Sequence, residues 1–319
     1  MMGRIGKYEI LDKLGEGGNG TVYAVLHPNT GAYLAMKEFA DAGAGEREAK
    51  ILLGLSHPGI PKCHDCFIQD EKYYLLMDYF EGENLWEYKE ERGGGDEERI
   101  LHSLAGLISY LHSLSVPLIH GDLKPENIMI TKEGEVCLLD FGSAFYPHHP
   151  PRKIMGSPGY SAPELKLGRC GTESDVYAFG KLMIYLLTGR DPLFFDEEPD
   201  AGVFLRMGMS GKYAEIATRC LCSDPLGRFH SLKEVCSAME KKRRFKPALS
   251  GFGVHFGGIC AFLGLWLYFM ADWAKGKYLI LAGCILLIGE MWITGSRRGV
   301  TEGEFTEEYR LFLSEDKSQ

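Results

Sequence analysis

The sequence predicts an α+β chain of two unequal lobes, a β-rich one over about residues 1–80 and a helical one over about 81–245. A two-helix apolar hairpin over 249–294 and an acidic tail over 295–319 are expected to follow. Three observations carry this expectation. Strand-length apolar runs alternate with turn residues as far as residue 80, apolar spacing becomes helical beyond Asp96, and two long apolar segments come after the globular part. A chain of 319 residues with 45% hydrophobic content has ample material for a large two-lobed core. Its net charge of −9 and pI near 5.6 argue against a polyanion-binding surface, so no nucleic-acid partner is expected.

The first strand is expected over residues 8–14. It runs into Gly15-Glu16-Gly17-Gly18-Asn19-Gly20, and a second strand over 21–25 completes a glycine-rich hairpin. Asn29-Thr30-Gly31 turns the chain into a third strand, 32–39, which carries Lys37. A helix is expected over about 46–55, with Glu48 on the same face as Ile51, Leu52 and Leu55. Cys63-His64-Asp65-Cys66 falls in the strand region beyond that helix. A single CxxC without a second pair lacks the ligand count of structural zinc. Residues 75–80 read as the last strand and the exit from the small lobe. After Asp96, the residues Ile100, Leu101, Leu104, Leu107, Ile108 and Leu111 form one helical stripe that ends near Pro117.

Nine cysteines without a disulfide-like rhythm suggest a reducing compartment for the globular part. The residues before the first strand lack the apolar core of a secretory signal. Residues 249–270 and 278–294 are each near the length that crosses a bilayer, with His255 and Glu290 as their ionisable residues. The linker between them, 271–277, permits only a tight turn. Lys241-Lys242-Arg243-Arg244 before the first segment and Arg297-Arg298 after the second place both flanks on the cytoplasmic side. The expectation is a multi-pass cell-membrane protein with a cytoplasmic globular domain. Gly253 and Gly257 have a small-xxx-small spacing that suits close packing within the hairpin or a homodimer.

The chemistry is concentrated in His120-Gly121-Asp122-Leu123-Lys124-Pro125-Glu126-Asn127 and, further on, Asp140-Phe141-Gly142. Two carboxylates, a lysine and an amide stand there at spacings that suit phosphoryl transfer. Asp122 fits the group that orients an attacking hydroxyl and takes its proton. Asn127 and Asp140 fit a pair that holds Mg2+, with Mn2+ as an alternative ion. Lys124 can direct an ammonium at the transferring group.

These motifs resemble the eukaryotic-type protein kinases in their serine/threonine branch, and the short loops resemble bacterial members. The resemblance covers residue 8 to about 240 and implies a bilobal protein-kinase fold, ATP with Mg2+, and serine or threonine hydroxyls of proteins as acceptors. It assigns Gly15, Gly17 and Gly20 to the triphosphate, and Leu14 and Val22 to the adenine. Glycines spaced in this way also occur in dinucleotide-binding folds, but there a helix follows, whereas here strand-forming Val22-Tyr23-Ala24-Val25 does. Ala35-Met36-Lys37 matches the strand whose lysine meets the α- and β-phosphates, with Glu48 as its carboxylate partner. Met77 would back the adenine pocket, the backbone of Asp78 and Phe80 would bind the base edge, and Met129 and Leu139 would form the floor.

Gly156-Ser157-Pro158-Gly159-Tyr160-Ser161-Ala162-Pro163-Glu164 resembles the segment that docks protein substrates. The resemblance pairs its Glu164 with Arg228, bonds Ser157 to Asp122 and Lys124, and makes Asp175 a buried aspartate. Gly121 departs from the pattern, standing where regulated members carry arginine. One rival is a small-molecule phosphotransferase of the same fold, which His120-Gly121-Asp122 also resembles. Another is a non-catalytic membrane scaffold, whose signature would be loss of the lysine, the base or a magnesium ligand. That signature is absent.

Overall fold

The computed structural model describes residues 3–18, 20–149, 156–194 and 200–240. The expected spans 249–270 and 278–294 and the tail 295–319 lie outside the described residues, as do Arg152 and Lys153. Among the described residues no helix is long and apolar enough to cross a membrane.

The small lobe is an antiparallel sheet of strands β1 (Arg4–Ile5), β2 (Tyr8–Gly17), β3 (Gly20–Leu26), β4 (Tyr33–Phe39), β5 (Cys63–Gln69) and β6 (Lys72–Asp78), in the order β1-β2-β3-β4-β6-β5. Alternation along these strands sorts side chains to two faces. Leu34 and Met36 join Tyr8, Val25, Tyr74 and Leu76 in one apolar cluster, while Ala35 and Phe39 join Tyr73, Leu75 and Met77 in the main core. Lys37 therefore points to the same face as Ala35, toward helix α1 (Ala42–Leu53), and is buried.

Helix α1 begins four residues before the expected start and ends two before the expected end. Gly43 and Gly45 read locally as turn residues, but Asp41 caps the helix by accepting from the Gly43 N–H at 2.9 Å. Gly45 also lets the helix lie against Tyr73, since a Cβ there would stand 2.3 Å from the ring. Tertiary contact overrides the poor helix propensity of glycine at both positions. Strand β2 likewise outruns its expected end, because pairing continues through Gly15↔Val22, Glu16↔Thr21 and Gly17↔Gly20. The last strand lies earlier than expected, since Lys72 and Tyr73 pair with Gln69 and Ile68 across a tight turn.

The larger lobe opens with β7 (Gly82–Asn84) and α2 (Leu85–Arg92), then α3 (Glu97–His112). α2 was not expected. A reciprocal capping box between Asn84 and Glu87 starts it. The expected stripe on α3 is buried in full, from Ile100 to Leu111. β8 (Ile128–Thr131) pairs with β7 on one side and with β9 (Val136–Leu138) on the other in a small antiparallel sheet. α4 (Thr172–Thr188) is buried nearly all round, and α5 (Ala201–Arg206), α6 (Gly211–Cys220) and α7 (Leu232–Glu240) complete the lobe. Gly180 brings α4 and α6 together, because a Cβ there would meet Cys220 at 2.6 Å.

Arg228, fully buried, donates twice to Glu164, at 2.7 and 2.8 Å, and Ser174 donates to the same carboxylate. Burial works against the Glu164 charge, but Arg228 and Ser174 more than offset it and hold the carboxyl below its ordinary value. The stabilisation is thus complete above the unfolded value of 4.5 and is lost as pH falls through the lower folded value. Arg228→Met should cost about 3–5 kcal/mol in urea unfolding, since it strands a buried carboxylate. Glu164→Gln should flatten the loss of stability below pH about 4.5, measured by the same unfolding across pH.

Candidate active site

A cavity of about 730 Å3 is lined by residues of both lobes. Leu14, Gly15, Gly17, Gly20 and Val22 line it from the glycine hairpin, Ala35 and Lys37 from β4, and Met77, Asp78 and Phe80 from the end of β6 and beyond. The larger lobe contributes Met129 and Leu139 together with Asp122, Lys124, Asn127 and Asp140. Glu48 does not line it. That carboxylate is buried behind Lys37, whose Nζ donates to both its oxygens, at 2.8 and 2.9 Å, and to Asp140 Oδ1 at 2.6 Å.

One ammonium is therefore shared by two carboxylates. Burial pushes the Glu48 carboxyl up to about 7, with Lys37 pulling it down and the Asp140 charge pushing it up. For Lys37 burial opposes the charge, but Glu48 and Asp140 outweigh it and raise the pKa. Burial disfavours ionised Asp140 as well, yet Lys37 holds its pKa below the usual range. Asp140 has φ +53°, a strained value for a non-glycine residue, and also accepts the Gly142 N–H.

Asp122 is held from several sides. Its Oδ1 accepts from the backbone N–H of Ser157 at 3.0 Å and from Ser157 Oγ at 2.7 Å, and Lys124 Nζ donates to the same Ser157 Oγ at 3.0 Å. Asn127 Nδ2 donates to the Asp122 carbonyl at 2.8 Å, which leaves Oδ1 as the acceptor of that amide. Asn127 is tied to the residue before Asp140-Phe141-Gly142 by its carbonyl, which accepts the Leu139 N–H at 2.7 Å. Asn127 and Asp140 offer an amide oxygen and a carboxylate, the hard donors that suit Mg2+. Among the described residues no group of three His, Cys, Asp or Glu could hold a metal by itself, which suits an ion completed by phosphate and water.

The glycine hairpin adds a second fit. A Cβ on Gly15 or Gly17 would meet no protein atom within 4 Å, so packing leaves their backbone accessible from the cavity side. Gly20 is different: its φ is +127° and a Cβ would stand 1.9 Å from the Glu38 carbonyl oxygen. The cavity is also lined by Glu87, Glu126, Ser143 and Pro158, which were not expected there. Glu126 and Pro158 stand inside motifs that the sequence singles out, though without an assignment to the cavity; Glu87 had only the Asn84-x-x-Glu87 capping box as a local signal, and Ser143 reaches the cavity through tertiary folding.

The model for the protein kinase domain matches residues 8–238, and the chain belongs to that family. Among curated relatives it is 31% identical over 258 residues to the carbon catabolite-derepressing protein kinase of Candida tropicalis, covering 72% of this chain and 41% of that protein. It is 27% identical to the serine/threonine-protein kinase PknD of Chlamydia trachomatis, covering 73% and 31%, respectively. A RAC family serine/threonine-protein kinase homolog of Dictyostelium discoideum is 30% identical, with 60% and 46% covered. The chain thus spans less than half the length of these relatives.

The two glycine environments should separate in mutants. Gly20→Ala should destabilise the chain by about 1–3 kcal/mol, because it adds strain at positive φ to a backbone clash. Gly15→Ala should leave thermal stability unchanged, and any effect should appear in nucleotide binding followed by calorimetry.

Proposed function

We propose that the chain is an ATP-dependent serine/threonine protein kinase with its catalytic domain over residues 1–245, attached to the cytoplasmic face of a membrane by the hairpin 249–294. The observation that carries the catalytic reading is the Ser157 bridge between Asp122 and Lys124, in the segment that Glu164 ties to Arg228. It supports protein acceptors over small molecules, because that segment borders the same cavity as Asp122. Names of the relatives point the same way.

In this reading Asp122 orients the acceptor hydroxyl and takes its proton as the new O–P bond forms and the bond from the γ-phosphorus to the ADP oxygen breaks. Lys124 offers positive charge to the transferring group. Lys37, fixed by Glu48, positions the α- and β-phosphates. Asn127 and Asp140 hold Mg2+, or Mn2+, which when bound neutralises phosphate charge. Leu14, Val22, Ala35, Met77 and Met129 enclose the adenine, with backbone groups of Asp78 and Phe80 on its edge.

Support for the membrane reading comes from two apolar segments with basic flanks, Lys241 to Arg244 and Arg297-Arg298. Gly253 and Gly257 offer a close contact for the hairpin or a homodimer.

Asp122→Asn should lower transfer from labelled ATP to protein serine or threonine by about a hundredfold or more while nucleotide binding persists. Near-native autophosphorylation of that variant would overturn the catalytic assignment. Topology is checked by single cysteines in a background without native ones. A membrane-impermeant thiol reagent applied to intact cells should label position 274 and spare position 310, and the reverse pattern would overturn the orientation.

A further inference from the structure

Cys63 and Cys66, the CxxC pair of β5, do not line the cavity. A spacing of three normally sends two strand side chains to opposite faces. Here the register shifts between Cys63 and Asp65, so that Cys63 stands opposite Met77 and Cys66 opposite Leu75. Met77 and Leu75 are two apart on β6 and both join the main core, so the bulge at His64 brings the two cysteines to one face. Cys63 is buried and Cys66 is exposed. Packing accounts for the first as a small apolar filler, but not for the second, which lies outside the core.

The two thiols also act on each other and on a common neighbour. Burial first, and then the charges of Cys66 and Asp65, raise the pKa of the Cys63 thiol. Burial likewise raises the Tyr73 phenol, and Cys66, through a hydrogen bond and its charge, and then Cys63 add to the shift. Tyr73 is the ring against which Gly45 seats α1, the helix of Glu48. In the other direction Cys63 faces Met77, and its neighbours hold Asp78. The Lys62 carbonyl accepts the Asp78 N–H at 3.1 Å, the Lys62 N–H donates to the Asp78 carboxylate at 2.9 Å, and His64 Nε2 meets that carboxylate at 2.5 Å. Met77 and Asp78 line the cavity. The pair thus stands between the strand end that borders the cavity and the helix that fixes Lys37.

We propose that Cys63 and Cys66 form a thiol-exchange site for low-molecular-weight disulfides of the glutathione type, and that closing them into a disulfide weakens nucleotide binding in the cavity. The second clause rests on the kinase reading above. The Cys66 thiolate attacks one sulfur of the small disulfide, whose S–S bond breaks and releases one thiolate. With charge gone from Cys66, Cys63 ionises more readily and attacks the Cys66 sulfur, which expels the second small thiolate. Two protein thiols are oxidised, one small disulfide is reduced, and the two protons leave with the two small thiols. Residues that face the same way at successive pleats have Cα atoms about 6–7 Å apart, near the upper limit that a disulfide spans, so closure draws the bulge tighter. β5 is the outermost strand in the sheet order and yields to that pull. The same strain keeps the bond reducible, so it closes when the compartment turns oxidising. Movement of Cys63 is carried to Asp78 by Lys62 and His64, and movement of Cys66 is carried to Tyr73 and α1.

The test uses the full chain in detergent, incubated with glutathione and stepped amounts of its disulfide, then acid-quenched, alkylated and digested with trypsin. Cleavage after Lys62 and Lys72 yields one peptide that holds both cysteines. Mass spectrometry should find this peptide unalkylated and two hydrogens lighter in the native chain, glutathionylated at Cys66 in Cys63→Ala, and unmodified at Cys63 in Cys66→Ser. Thermal unfolding establishes that each variant is folded. Calorimetric affinity for ADP with Mg2+ should fall by about fivefold or more on oxidation of the native chain, recover with dithiothreitol, and stay constant in Cys66→Ser. By linkage, saturating nucleotide should raise the glutathione disulfide needed for half-oxidation, at fixed glutathione, by that same factor. A peptide that stays reduced at every step, or a disulfide that leaves ADP affinity unchanged, would overturn the proposal, while phosphoryl transfer by Cys66→Ser upholds the kinase reading. A reduced chain that neither binds nucleotide nor transfers phosphate would overturn that reading and the coupling together, even where the disulfide forms.

Discussion

Asp175 sits fully buried in the first turn of α4, and its two oxygens accept from the backbone N–H groups of His120 and Gly121, at 2.9 and 3.0 Å, and pair with His112 Nε2 at 2.9 Å. A carboxylate removed from water persists as an ion only if its lone pairs are met in this way. Burial alone would raise its pKa, yet His112, His120 and the backbone donors bring it below the ordinary value. The end of α3, the start of α4 and the loop that holds Asp122 are thereby drawn to one point. The loop pays in backbone freedom: Gly121 is held at φ +76°, and a Cβ there would stand 2.9 Å from the Ser143 carbonyl. That geometry explains why glycine suits the position before Asp122. It also explains why an arginine there would require the neighbouring segment to shift.

From this anchor the constraint passes outward by short steps. His120 Nε2 meets the Leu139 carbonyl at 3.2 Å, and its ring packs edge-on against buried Phe141, which brackets the strained Asp140 between them. Asp140 then meets Lys37, and Lys37 meets Glu48, so a chain of polar contacts runs from α4 to α1 across both lobes. Strain at Asp140 is sustainable because two donors, Lys37 Nζ and the Gly142 N–H, and the packed ring of the next residue determine its position. Any motion of α1 that withdraws Glu48 leaves Lys37 with Asp140 alone. This link between the lobes is electrostatic and therefore adjustable, and it runs beside an apolar core to which residues of both lobes contribute.

Much of this was legible in the sequence, for identifiable reasons. The stripe on α3 could be read because a period near 3.6 is a property of local chain geometry. The strand that carries Lys37 could be read because a turn signal, Asn29-Thr30-Gly31, defines its start. Helix α1 was misplaced because Gly43 and Gly45 signal a turn locally, while what holds them helical is a cap and a tyrosine ring twenty-eight residues beyond Gly45. The motifs near Asp122 and Asp140 stand out through spacing alone, whereas the hydrogen bonds that join them depend on Asp175, some fifty residues later.

Buried charge in this fold is matched side chain by side chain. Lys37, Glu48, Glu164, Asp175, Lys181 and Arg228 are all buried, and each has a partner that compensates its charge or polarity. Natural folds rarely leave such groups unmatched, because the low-dielectric interior magnifies the penalty. Tyr160 departs from that pattern, since its hydroxyl is buried without a hydrogen-bond partner, and a buried hydroxyl left unmet costs the isolated chain stability.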